Sequence, residues 1–181
     1  MIAVLQVSVV VGNPKPRSRT ARVATAVAEK LLDPGTFRIT TVDLADHAHD
    51  LFRWPCTELT AINDRVAASD LVVVASPTYK ATYTGLLKAF LDRYPNQGLR
   101  GVVAVPVMTG SDPRHAMGPE VHLRPLLVEL GAVLPTPGLF FVTEGMDRLD
   151  TLVDEWVTDV HERLRAHLPG LRVAGVPAPS A

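Results

Sequence analysis

Three short stretches hold the residues whose types and spacing suit chemistry. The first is GNPKPRSRT, Gly12 to Thr20, where an apolar run stops at a glycine and a helical pattern begins. Backbone N–H groups at the start of a helix lack intrahelical partners, and the helix dipole favours an anion there. Gly12 lets the chain bend sharply. Asn13, Ser18 and Thr20 offer side-chain hydrogen bonds; Lys15, Arg17 and Arg19 add positive charge. A phosphate suits this set of groups. The competing reading is a capped helix after a turn, with Ser18 as N-cap and the bases solvated. The stretch has neither the G-x-x-x-x-G-K-[ST] spacing of a nucleoside triphosphate loop nor the G-x-G-x-x-G dinucleotide fingerprint.

The second stretch runs from Ser76 to Gly101, SPTYKATYTGLLKAFLDRYPNQGLRG. Tyr79 and Tyr83 flank Lys80 and its two neighbours just after Pro77. A planar aromatic ligand fits against such a loop, with backbone groups near Pro77 to Lys80 meeting its polar edge. The alternative is that the tyrosines only cover the edge of the core. The third stretch, GSDPRHAMGPEVHLRPLLVELGA, carries Arg114, His115, His122, Arg124 and Pro125. Arg114 and His115 suit either phosphate groups or a solvated loop. Pro125 lacks an N–H and crowds the carbonyl of Val121 if one helix runs through it. Two outcomes follow: a π-bulge beside His122, or a second helix starting at Pro125 with His122 on the surface. His47 and His49 resemble a ligand pair, but no third ligand matches them, so no metal site is expected. Cys56, the sole cysteine, reads as a packed thiol in a reducing cytoplasm.

The elements that must position these stretches follow from periodicity. Val4 to Val11 is apolar on both faces, as a central parallel strand is. Arg19 to Leu32 fits a helix with Val23, Ala24, Val27, Ala28, Leu31 and Leu32 on one face. FRITTVDL is a second strand, and ADHAHDLFRWPC has no clear period and reads as loop. Thr57 to Ala68 is helical, with Thr57 as candidate N-cap. DLVVVASP is a third strand, Gly85 to Tyr94 a helix, GVVAVPVM a fourth strand, and Gly118 to Gly131 helical in pattern. A short fifth strand covers Leu139 to Val142, and an amphipathic helix runs from Leu149 through Leu164. Strands alternating with helices predict an α/β fold with a parallel sheet, doubly wound in the five-stranded flavodoxin-like order. Ligands of such sheets bind beyond the carboxyl ends of the strands, where the three stretches fall.

At 181 residues, 47% of them apolar, the chain is long enough for one domain, placed at 1–172, with a Pro- and Gly-rich tail at 173–181. A net charge of −1 with no long run of one sign argues against a nucleic-acid or membrane-surface binder. The apolar start lacks a basic leader region and is too short to span a bilayer.

SPTYKATYTGLLKAFLD resembles the P-x-Y-x-x-x-x-x-G-x-L-K-x-x-L-D signature of the NADPH-dependent FMN reductase family. Asn13, Pro14, Lys15, Ser18 and Thr20 stand where that family has its G-S-x-R-x-x-S-x-[TN] phosphate loop. The run P-x-Y-K-A-x-Y-[ST]-G-x-L-K and the LRPLL helix are similar to those of the FMN reductases that serve alkanesulfonate monooxygenases. The likeness extends from Val4 to Leu134.

The resemblance implies FMN with its phosphate on the first loop and its ring against Pro77, Thr78, Tyr79 and Lys80. Thr109, Gly110 and Ser111, after the fourth strand, would form the other wall. NADPH or NADH would supply hydride, and Arg114 and His115 would meet its phosphates or the 2′-phosphate of NADPH, with solvated loop charges as the alternative. No catalytic side chain is implied, since the flavin carries the transfer. His122 would mark an interface and gate, and the chain would form a homodimer or homotetramer. Asn13 replaces a common Ser and Lys15 a common Arg. Lys lacks the bidentate grip of Arg, which suits a flavin that comes and goes as a substrate for a partner monooxygenase. A reductase that retains its flavin and reduces quinones, azo dyes or metal ions is the alternative. A non-enzymatic carrier like flavodoxin is the third reading. Such carriers tend to be acidic and carry a T-x-[ST]-G-x-T run, which this chain lacks.

Overall fold

A computed structural model describes residues 4–168; the tail expected at 173–181 lies outside the described residues. Five parallel strands stand in the order β2-β1-β3-β4-β5: β1 (Leu5–Val11), β2 (Phe37–Asp43), β3 (Leu71–Pro77), β4 (Val103–Gly110) and β5 (Leu139–Val142). This is the expected doubly wound α/β order, in which the chain reverses direction across the sheet between β1 and β3. Val9, Val10, Val73, Val74 and Val105 are fully buried, because helices cover both sheet faces.

One face packs against α1 (Arg19–Lys30) and α5 (Leu149–Arg165), through Val23, Val27, Val153, Val160 and Leu164. The other packs against α2 (Thr57–Ala67), α3 (Gly85–Leu91) and α4 (Arg124–Glu129), through Leu59, Leu87, Phe90 and Leu127. Among the described residues no helix is long and apolar enough to cross a membrane.

Several local details differ from the sequence reading. Cys56, not Thr57, takes the N-cap position of α2 and makes no side-chain cap bond; Thr57 is the first helical residue. β4 extends through Thr109 and Gly110, so these residues belong to the strand's tip rather than to the loop after it. The segment before α2 is not wholly irregular. Its residues Leu44–His47 form a 3₁₀ turn. The Arg93 guanidinium lies 4.2 Å from the Trp54 ring centroid and donates to the Leu51 and Arg53 carbonyls at 3.0 Å each, pinning this segment to the end of α3.

Around Pro125 the structure combines both expected outcomes. Pro119–Leu123 is a π-helical turn, and α4 then begins at Arg124 with Pro125 in its first turn. The Arg124 N–H reaches back five residues to the Pro119 carbonyl. Pro125 cannot donate to Val121, and the wider turn keeps its ring clear of that carbonyl. Arg124 also donates to the carbonyls of Leu134 and Thr136 and pairs with Glu120, whose carboxylate accepts the Gly138 N–H. Burial acts to raise the Glu120 carboxyl, but the bonds from Arg124 and Gly138 hold it below its ordinary value.

Gly12 earns its place by close approach rather than by a left-handed turn. Among the described residues the glycines with positive φ are Gly35, Gly101 and Gly131. A Cβ on Gly12 would stand 2.5 Å from the Leu87 Cβ of α3. The Gly12 N–H donates to the Ala75 carbonyl at 2.7 Å, and its own carbonyl accepts from the Thr84 hydroxyl that caps α3. Gly12→Ala must push α3 away from β1 and should lower stability by about 1–3 kcal/mol, read as a reduced urea midpoint. An unchanged midpoint would show that α3 yields without cost.

Candidate active site

A cleft of about 720 Å³ opens at the carboxyl ends of β1, β3 and β4. Three segments wall it: Asn13 with 15–20, Pro77 to Tyr79, and Thr109 to Ser111. Thr143, just past β5, closes one side.

In the first segment the polar side chains split into two groups. Asn13 accepts the Lys15 N–H at 2.9 Å and donates to the Thr20 hydroxyl at 3.1 Å. The Thr20 and Thr109 hydroxyls share a hydrogen bond of 2.8 Å. Asn13, Thr20 and Thr109 are 8%, 1% and 2% exposed, so this chain of bonds is internal bracing. Ser18 caps α1 by accepting the Ala21 N–H at 3.2 Å. Arg17 has a left-handed φ of 50° and gives its N–H to Asp43 at 3.0 Å. The side-chain cations of Lys15, Arg17 and Arg19, by contrast, are exposed and have no partner among the described residues. In the first turn of α1 the Ala21 and Arg22 N–H groups are taken by Ser18, whereas those of Arg19 and Thr20 have no intrahelical acceptor.

In the second segment the Thr78 N–H donates to the Thr109 carbonyl at 2.7 Å, continuing the β3–β4 ladder. Tyr79 and Thr82 exchange backbone bonds around Lys80 and Ala81, whose φ values are 51° and 70°. Two left-handed residues in a two-residue connection make a primed hairpin turn, adopted here without glycine. The turn leaves the Tyr79 side chain half exposed at the cleft. The Thr78 hydroxyl is buried and has no partner among the described residues. A buried hydroxyl of this kind calls for an acceptor or donor from elsewhere. In the third segment Gly110 allows close packing: a Cβ there would lie 2.9 Å from Phe140 Cζ and 3.4 Å from the Thr78 hydroxyl.

The structure thus brings Asn13, Lys15, Ser18, Arg19, Thr20, Pro77, Thr78, Tyr79, Thr109, Gly110 and Ser111 around one cleft. Gly12 stands behind it against α3, and Lys80 sits at the hairpin's turn, outside the lining. Arg114, His115 and His122 do not line it either. Arg114 is committed to Asp112, through Nε at 2.8 Å, a second guanidinium nitrogen and its own N–H. Those bonds, side-chain first, hold the Asp112 carboxyl at about 2. His122 lies exposed on the π-helical turn. His47 faces Glu58 at 3.3 Å and His49 faces Asp50 at 3.7 Å. Arg17, read from the sequence as one of the loop's cations, lines the cleft with Lys15 and Arg19. Sequence reasoning passed over Thr143, whose signal was positional: it follows a strand's carboxyl end.

The model of the NADPH-dependent FMN reductase family matches residues 5–147. An FMN reductase (NADPH) of Escherichia coli is 27% identical, covering 88% of this chain and 92% of its own length. The NADH-dependent FMN reductase SfnF of Pseudomonas putida is 34% identical over 81% of this chain and 82% of its own. Among solved structures, an apo NADH:FMN oxidoreductase, EmoB, superposes with a TM-score of 0.79 at 30% identity, covering 97% of both chains. A flavodoxin from Pseudomonas aeruginosa, with a TM-score of 0.59 at 19% identity, shares the fold over 89% of this chain and 99% of its own.

The hydroxyl chain itself can be tested without any ligand. Thr20→Val and Thr109→Val should each cost about 1 kcal/mol or somewhat more, since each strands a buried polar partner. The double variant should cost less than the sum of the two. Guanidinium unfolding of the four proteins measures this; strict additivity would mean that the hydroxyls act independently.

Proposed function

The chain belongs to the NADPH-dependent FMN reductase family, and from that premise we propose that it passes hydride from a reduced nicotinamide nucleotide to FMN held in the cleft. The observation that carries the reading is the pairing, in one cleft, of unpartnered cations beside a helix N-terminus with an unpartnered buried hydroxyl, Thr78, on the opposite wall. The first end suits a phosphate and the second the polar edge of a flat ring.

Lys15, Arg17, Arg19 and the free N–H groups of Arg19 and Thr20 bind the phosphate. Ser18 shapes that turn as its cap. Asn13 and Thr20 hold the loop in place through Thr109. Thr78 and the backbone between Pro77 and Lys80 take the ring's polar edge, and Tyr79 shields the ring from water. Gly110 and Ser111 leave a flat wall opposite. When bound, the flavin supplies the hydride-accepting centre, so no nucleophilic side chain is needed. The chain's contribution is to hold the donor and acceptor atoms about 3–3.5 Å apart. Backbone N–H groups of the second and third segments are the donors available to negative charge that develops on the ring.

FMN exchanges as a substrate in this reading, because Lys15 gives a single-point contact. The reduced flavin would pass to a partner monooxygenase in the cytoplasm. Exposed Met117, Val121 and Val128, on or beside the π-turn and α4, support a homo-oligomeric contact on that side.

Oxidation of NADPH and NADH should be followed across a range of FMN concentrations, on protein first checked for yellow colour. Colourless protein and turnover that saturates with free FMN are expected. Quinone reduction without added FMN, by yellow protein, would replace this reading with a flavin-retaining reductase. Thr78→Val should raise the FMN dissociation constant about 5–10-fold, as loss of one buried hydrogen bond does; fluorescence quenching measures it, and an unchanged constant would remove Thr78 from the site.

A further inference from the structure

A second groove, of about 390 Å³, runs along the outer face of α1. Arg17 belongs to both this groove and the cleft, so the two are contiguous. Arg22 stands in the first turn of α1, and Glu29 two turns further on. Ala21, Thr25 and Leu149, the first residue of α5, contribute to its lining, which is largely apolar.

Arg22 is exposed, and its guanidinium has no partner among the described residues. Several other surface cations are paired: Lys30 with Asp154, Lys88 with Asp92, Arg53 with Asp50, and Arg114 with Asp112. Others, such as Arg38, Arg65 and Arg100, have unpaired guanidinium groups among the described residues but line neither the groove nor the cleft. One FMN phosphate carries at most two negative charges, and Lys15, Arg17 and Arg19 already line its cleft. Arg22 is therefore a fourth cation for which the flavin has no use.

Resting on the reductase reading above, we propose that Arg22, at the head of this groove, binds the 2′-phosphate of NADPH and makes the enzyme prefer NADPH to NADH. The nicotinamide must enter the cleft, and the adenosine end must leave it along a surface. The groove continues from the cleft at Arg17 and offers apolar side chains to a purine. A guanidinium recognises a phosphate by two parallel hydrogen bonds, whereas the 2′-hydroxyl of NADH gives it far less. Glu29 repels the phosphate from the far end and so keeps it beside Arg22. Arg114, the other exposed arginine considered for this role, is already occupied by Asp112.

The test uses the full-length protein at saturating FMN. In the wild type, kcat/KM should favour NADPH by about tenfold or more. Arg22→Ala should remove most of that advantage through KM, leaving kcat/KM for NADH and the FMN dissociation constant unchanged. Arg22→Lys should restore part of it. A wild-type enzyme with no preference for NADPH would overturn the assignment, as would equal losses with both nucleotides in Arg22→Ala. If neither nucleotide is oxidised, the reductase reading fails, and calorimetry with 2′,5′-ADP and 5′-AMP still decides the subsite. Tighter binding of 2′,5′-ADP that disappears in Arg22→Ala supports it; equal binding of the two overturns it.

Discussion

Two hydroxyls 2.8 Å apart, Thr20 at the head of α1 and Thr109 at the tip of β4, hold the site together. They stand 89 residues apart in the chain and are almost wholly buried. In that setting neither hydroxyl can be left unpaired without cost. Their bond extends through Asn13 to the Lys15 N–H on one side. On the other, the Thr109 carbonyl accepts the Thr78 N–H. The first loop and the β3–β4 wall of the cleft are thereby parts of one hydrogen-bonded unit. A ligand that spans both meets a preformed surface, and little ordering remains to oppose its binding.

This bracing explains a division of labour among residues of similar type. Of the polar groups in the first loop, the short and buried ones are spent internally, and the long and exposed cations stay free. The same logic separates the arginines. Arg93, Arg114 and Arg124 each have carbonyl or carboxylate partners and serve the fold locally. Arg17 and Arg22 have none for their guanidinium groups among the described residues, and both border an open groove. The lack of a partner together with a place beside a groove thus sets these two apart from the arginines that serve the fold, which residue type does not.

The relatives share this frame and diverge in what they are named for. An E. coli relative is named for NADPH and a P. putida relative for NADH. A doubly wound sheet is compatible with either, since one fold hosts different specificities through the side chains placed around it.

Much of the architecture was legible in the amino-acid sequence. Apolar runs such as VVVG and DLVVVASP, alternating with helical periods, specified five strands and their covering helices, and hence the parallel sheet. The glycine-to-basic loop and the SPTYKATYTG run announced two walls of the cleft. These signals are local, set by the pleat and the helical turn, and survive without knowledge of distant partners. Other decisions needed the folded molecule. Gly12 is required because α3 comes within contact distance, not because of a bend. Thr20 braces Thr109 from the far side of the chain. Arg114 closes on Asp112, Thr143 joins the cleft from beyond β5, and the π-turn resolves the conflict at Pro125. Each is a choice among possible hydrogen-bond or packing partners, and that choice is made by strand register and helix proximity across tens of residues, which composition and spacing do not encode.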